Sequence, residues 1–339
     1  MFILAFMVTA AVFSGLADNG VQRVELPSGC YLLYRPAVHQ PDVPLPLIVC
    51  LHGTDTSSAD ILRFWRSLSA KLPYVIVAPQ GSRAGWRAPD LPLLREMLEH
   101  VRRNVVFDPA RVLLTGHSAG GAMAFRLLYM EDFPATALAV TANYLPPEVT
   151  SEQARKRTNV PVFYAVGTRD PNRGRMRTGV TLLREAGVRI TMRRPRIGHV
   201  LDGGVGQEAL VWFERICRDA VGDLIEQTHD PNGSAGPVGS LAVALEEVLA
   251  HADAHFPDQI PLVRDAVARL EAPGRRTLAR ARQLAAEHKY AEAYGLYARV
   301  EREYRPASLA EVAKAFREKL GGDPRAAGGL PKTIEVDHE

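Results

Sequence analysis

One pentapeptide in the chain, Gly116-His117-Ser118-Ala119-Gly120, offers a nucleophile in a backbone setting that small residues permit. With average Gly and Ser usage, a chain this long shows G-x-S-x-G by chance on the order of one time in ten, so the flanks decide its meaning. RVLLT before it has the pattern of a buried strand, and AGGAMAFRLL after it has the pattern of a helix. A serine on such a strand–turn–helix corner exposes its Oγ at the edge of a sheet. The helix N-terminus beneath it favours developing negative charge. Without chemistry, the same residues would make only a Gly-rich strand–helix turn.

A neutral hydroxyl needs a base. In hydrolases built on this corner the order along the chain is Ser, then acid, then His. Asp170 follows a strand predicted over 162–166, and His199 follows one predicted over 188–192. Both then sit on loops at the carboxyl edge of the sheet, where catalytic groups gather. Ser118 as nucleophile, His199 as base and Asp170 as orienting acid is therefore the expected triad. The rivals are His52, His117 and Asp202; without catalysis, Asp170 would be a cap or turn residue and His199 a turn residue. His117 is expected to point away from the site and His52 to brace its loop. The loop His52-Gly53-Thr54 closes the run LIVCL, so the backbone N–H groups of Thr54 and Ala119 are expected to form the oxyanion hole. Trp86, on the loop after Ala78-Pro79-Gln80-Gly81, either walls a substrate pocket or packs on a neighbouring loop. Nine arginines fall within 169–196, either a solvated basic face or a means of attracting a carboxylate substrate. No ligand cluster has recognisable metal spacing, so neither a metal nor another cofactor is expected.

These residues need a scaffold. Strands are predicted over 21–26, 31–34, 47–51, 74–78, 111–115, 137–142, 162–166 and 188–192, with helices over 57–70, 91–104, 119–130 and 207–218. Continuous apolar runs such as LIVCL and VFYAV suit strands buried on both faces. The alternation implies an α/β class with a mainly parallel, doubly wound sheet. Near residue 230 the texture changes to a polar, Gly/Pro-rich stretch that reads as a linker. Helical patterns follow over 241–250, 259–271, 277–287, 291–304 and 309–320. The expected organisation is a catalytic domain over 18–222, a linker over 223–240, a helical region over 241–320 and a tail over 321–339.

The whole chain sets further limits. Its 339 residues allow one domain plus an extension, and 47% hydrophobic with 23% charged residues is a globular profile. A net charge of +3 is too small to argue for nucleic acid. Residues 1–17, MFILAFMVTAAVFSGLA, read as a signal peptide ending in small residues, with an uncleaved membrane anchor as the alternative. A secreted or periplasmic protein is the corresponding expectation. Cys30, Cys50 and Cys217 are too few and too odd in number for a disulfide framework, although a Cys30–Cys50 bridge is possible in an oxidising compartment.

Together the pieces LIVCLHG, VIVAPQGSRAGW, VFDPARVLLTGHSAGGAMA, VFYAVGTRD and GHV resemble α/β-hydrolase esterases of the feruloyl esterase and polyhydroxybutyrate depolymerase type. The resemblance implies the same triad and oxyanion groups, a secreted carboxylic ester hydrolase, and small-molecule or polymer-linked ester substrates. The chain departs from it in the loop after His52-Gly53, which lacks the extended glycine run of many lipases, and in the segment 170–177, which diverges from the proline- and valine-rich sequence common after the acid. Residues 281–306 resemble one tetratricopeptide-type helical hairpin, through Leu284, Ala285, Tyr290, Ala293, Tyr297 and Pro306. The tail is then either an appendage or a binding site for a protein partner. Two other readings stand beside the esterase: a hydrolase scaffold with an interaction tail, and a serine peptidase of the same fold.

Overall fold

The structure, a computed structural model, describes residues 20–37, 44–70, 72–82, 84–228, 238–251, 257–323 and 325–326. The apolar stretch 1–17 lies outside the described residues. Eight strands form one sheet: β1 (Val21–Leu26), β2 (Gly29–Tyr34), β3 (Leu45–Leu51), β4 (Val75–Pro79), β5 (Phe107–His117), β6 (Ala137–Thr141), β7 (Val162–Ala165) and β8 (Ile190–Arg193). Their order is β1-β2-β4-β3-β5-β6-β7-β8. β2 pairs antiparallel with β1 and β4, and every later pairing is parallel. This is the α/β-hydrolase fold.

Helices α1 (Ser58–Leu68), α2 (Leu91–Asn104), α3 (Ala119–Met130), α4 (Ser151–Arg155), α5 (Arg173–Glu185) and α6 (Gly203–Gln227) cover the sheet. β3 and β4 are buried at every residue because both faces are covered. On one face Leu47, Val49 and Leu51 pack with Met97 of α2, Met123 of α3 and Met176 of α5. On the other, α1, β5, β6 and α6 meet, and the rings of Phe163 and Trp212 lie 5.6 Å apart. α1 starts at a capping box in which Ser57 and Asp60 satisfy each other's backbone N–H groups. α5 was not evident from sequence, since its buried Met176, Val180 and Leu183 are diluted by arginines. All three cysteines are buried, and Cys30 and Cys50 are unbridged thiols, so the possible bridge between them is absent.

The chain divides into two compact units between Ile216 and Cys217. Of the span 223–240 expected to be linker, 229–237 lie outside the described residues, and the rest is helical apart from a turn at Thr228. The second unit contains α7 (Val238–His251), α8 (Ile260–Ala286), α9 (Tyr290–Tyr304) and α10 (Ser308–Gly321). Leu284, Ala293 and Tyr297 share one buried cluster with Leu309 and Ala313 of α10.

The two helices expected over 259–271 and 277–287 are in fact the single helix α8. Ala272-Pro273-Gly274 should break a helix, because Pro lacks an N–H and Gly is flexible. The Tyr304 hydroxyl repairs the ladder. It accepts from the Gly274 N–H at 3.0 Å and donates to the Leu270 carbonyl at 2.8 Å, standing between two groups that would normally bond directly. Gly274 is needed there, since a Cβ would lie 2.7 Å from the Tyr304 ring.

Candidate active site

The corner at Ser118 is built from backbone contacts that exclude side chains. A Cβ on Gly116 would lie 2.2 Å from the Gly120 carbonyl oxygen, and one on Gly120 would lie 2.2 Å from that of Leu51. Ser118 itself has φ +52 and ψ −124, a sparsely populated conformation that persists only where its surroundings enforce it. Its N–H donates to the Thr141 carbonyl at 3.0 Å, and its carbonyl accepts from the side chain of Asn143. β6 and the residues after it thus hold the serine from one side while α3 begins on the other.

The loops after β7 and β8 run side by side and extend the parallel pairing beyond the strands. Val166, Thr168 and Arg169 donate their N–H groups to the carbonyls of Arg193, Pro195 and Ile197 at 2.9, 2.9 and 3.0 Å. A Cβ on Gly167 would lie 2.7 Å from the Ile197 carbonyl oxygen, so the two loops can approach this closely only with glycine there. This zipper brings Asp170 to His199. His199 Nδ1 lies 2.9 Å from Asp170 Oδ2, and His199 Nε2 lies 2.8 Å from Ser118 Oγ. A carboxylate can only accept, so Nδ1 carries the proton and Nε2 is left to accept from the serine. Asp170 is fully buried and its Oδ1 accepts from the Asn172 N–H at 2.8 Å. The His199 side chain is 35% exposed, so the open end of the relay faces solvent.

Of the rivals, Asp202 lies outside this relay: its carboxylate accepts from the Val205 N–H at 2.9 Å, at the start of α6. His52 is buried and braces its loop, with Nδ1 2.8 Å from the Gly53 carbonyl and Nε2 accepting from the Gly81 N–H at 3.1 Å. Burial holds its pKa below the ordinary imidazole value. His117, expected to point away, instead lies with its ring 5.7 Å from that of His199 and its Nδ1 3.0 Å from Thr141 Oγ1. Burial, then the charge that His199 can carry, pushes the His117 pKa down to about 4. Behind it is an apolar cavity of about 10 Å³ lined by Ile61, Phe64, Trp65, Leu201 and Ala209.

Thr54 and Ala119 converge from different elements. A Cβ on Gly85, whose φ is +98, would lie 3.3 Å from both Thr54 Oγ1 and Ala119 Cβ. Ala119 opens α3, so its N–H precedes the helical hydrogen-bond ladder. Trp86 packs on the neighbouring loop: its Nε1 donates to the His52 carbonyl at 2.8 Å, and its ring covers Gly81 so closely that a Cβ there would lie 2.7 Å away. The loop carrying Gly85 is thereby tied to the end of β3. Sequence reasoning missed Asn143, Gly85 and the placement of His117. The only local sign of the first was its position just past a buried strand at the carboxyl edge.

No protein-family profile matches the chain. Over 119 residues, 32% of this chain, it is 29% identical to feruloyl esterase C of Emericella nidulans. The match spans 43% of that protein, so less than half of its length has a counterpart here. Among solved structures, a ferulic acid esterase aligns with 58% of this chain and 97% of its own at 16% identity and a TM-score of 0.48. Fungal esterases from Rhizomucor miehei align with 59% of this chain and 84% of theirs at 15% identity and a TM-score of 0.48. An S-formylglutathione hydrolase from Staphylococcus aureus aligns with 60% of this chain and 100% of its own at 12% identity and a TM-score of 0.47.

Proposed function

We propose that this chain hydrolyses carboxylic esters through an acyl-enzyme formed on Ser118. The observation that carries the reading is the unbroken relay from Ser118 Oγ to His199 at 2.8 Å and on to the buried Asp170 at 2.9 Å. His199 Nε2 removes the serine proton as Oγ attacks the ester carbonyl, and returns it to the leaving alcohol. Water, deprotonated by the same nitrogen, then releases the acid. Asp170 keeps the imidazole in its working tautomer and offsets the positive charge of the imidazolium. The N–H groups of Thr54 and Ala119 receive the oxyanion. Ester hydrolysis also accords with the similarity to feruloyl esterase C.

The test is a panel of acyl esters and peptide amides, run beside labelling with a fluorophosphonate. Ser118→Ala should lower ester turnover on the order of 10⁶-fold and abolish labelling. Unchanged turnover in that variant would overturn the assignment. Amide cleavage without ester cleavage would redirect it to a peptidase.

A further inference from the structure

The segment that grips Ser118 continues into a second feature that the triad does not use. Asn143, whose side chain donates to the Ser118 carbonyl, also accepts the Tyr144 N–H at 2.6 Å, so Tyr144 is fixed directly beside the nucleophile's own tether. The Arg175 guanidinium lies over that tyrosine's ring, its central carbon 3.7 Å from the ring centroid. α5, which carries Arg175, packs on the same segment: a Cβ on Gly179 would lie 2.8 Å from Leu145 Cβ. α5 starts three residues after Asp170, and Arg173 donates to the Thr168 carbonyl at 3.3 Å. The first turn of α5 thus touches the acid loop through Arg173 and the Tyr144 segment through Arg175.

These cations lack counter-charges. Of the nine arginines in 169–196, only Arg193 has an ion-pair partner among the described residues, Glu208 at 2.9 Å. The span contains just two carboxylates, Asp170 and Glu185, and Asp170 is buried against His199. A guanidinium stacked on an aromatic face has part of its conformational freedom already spent, while its N–H edge stays open to a planar, bidentate anion. Beside a site that takes esters, that anion is a carboxylate on the substrate.

We propose that Arg175, held on Tyr144, is an anion subsite that selects esters bearing a carboxylate. The proposal rests on ester hydrolysis at Ser118. The 4-nitrophenyl monoester of adipic acid and 4-nitrophenyl hexanoate have the same acyl length with and without a terminal charge. Acetylated 4-hydroxybenzoate and phenyl acetate make the same comparison on the alcohol side. In at least one pair the anionic ester should have the higher kcat/KM, by about fivefold or more. That ratio should fall toward one in Arg175→Gln and at high ionic strength. Arg184→Gln, at the far end of α5, should leave it unchanged. Binding of monomethyl adipate and of the acetyl ester of 4-hydroxybenzoate to Ser118→Ala protein, weakened by Arg175→Gln, reads the subsite without turnover. Turnover of both members of each pair at equal rates overturns the subsite and leaves the hydrolase intact. No turnover of any ester overturns the hydrolase. In that case, failure of Arg175→Gln to weaken either anion's binding overturns the subsite as well.

Discussion

His117 sits where acid should weaken the first unit. Its pKa is pushed from 6.5 down to about 4 by burial and by the facing His199. In the unfolded chain the imidazole returns to its ordinary value. Above pH 6.5 both states are neutral there, and His117 makes no pH-dependent contribution. As pH falls from 6.5 to 4, the unfolded chain takes up a proton that the folded one refuses, so stability is lost across that window and levels off below it. At pH 5 the two proton-binding terms differ by about 30-fold, which is about 2 kcal/mol of lost stability. His117→Gln keeps a polar group for Thr141 Oγ1 and removes the titration. All three tryptophans, at 65, 86 and 212, precede Cys217, so their fluorescence reports the first unit alone. Urea unfolding followed in this way at pH 7 and pH 5 should show the native chain losing about 2 kcal/mol more than His117→Gln. Equal losses in the two proteins would refute the argument that His117 is buried neutral against His199.

Three further outcomes follow from the geometry. Asp170→Asn places an amide N–H against His199 Nδ1, which forces the proton onto Nε2; ester turnover should fall about 10⁴-fold, as in the comparable serine protease change, with the melting temperature of the first unit little altered. Gly120→Ala drives a Cβ to 2.2 Å from a β3 carbonyl that cannot move freely, so the protein should lose about 3 kcal/mol or more or fail to fold, read by soluble yield and tryptophan emission. Tyr304→Phe leaves the Gly274 N–H and the Leu270 carbonyl without their bridge; helix melting followed by circular dichroism should show the second unit weakened by about 1–3 kcal/mol, and an unchanged melt would discount the bridge.

Much of the scaffold is legible in the chain because it obeys local rules. β1, α2 and α3 fall on the predicted residues, and the other seven expected strands differ from the observed ones only at their ends. Apolar runs announce strands covered on both faces, and the Gly-x-Ser-x-Gly corner announces its own tight turn. The order of Ser118, Asp170 and His199 could be read from loops that follow predicted strands, and the structure brings those three side chains into one relay. α5 was obscured because arginines on its exposed face blur the apolar period.

What the sequence determined by itself is therefore the local part: strand and helix identity, the glycine-dependent corner and the residue types able to do acyl transfer. Tertiary structure decided the rest, because each remaining feature depends on a partner distant in the chain. His117 turns toward His199 because Thr141 and the walls of α1 and α6 define its space. Trp86 became a brace because the carbonyl it needs belongs to His52. Pro273 and Gly274 lie inside a helix because the hydroxyl of Tyr304 comes back to fill the gap in the ladder. Periodicity and turn chemistry extend over a few residues, whereas which side chain closes a gap or offsets a charge is fixed only once the chain has brought distant segments together.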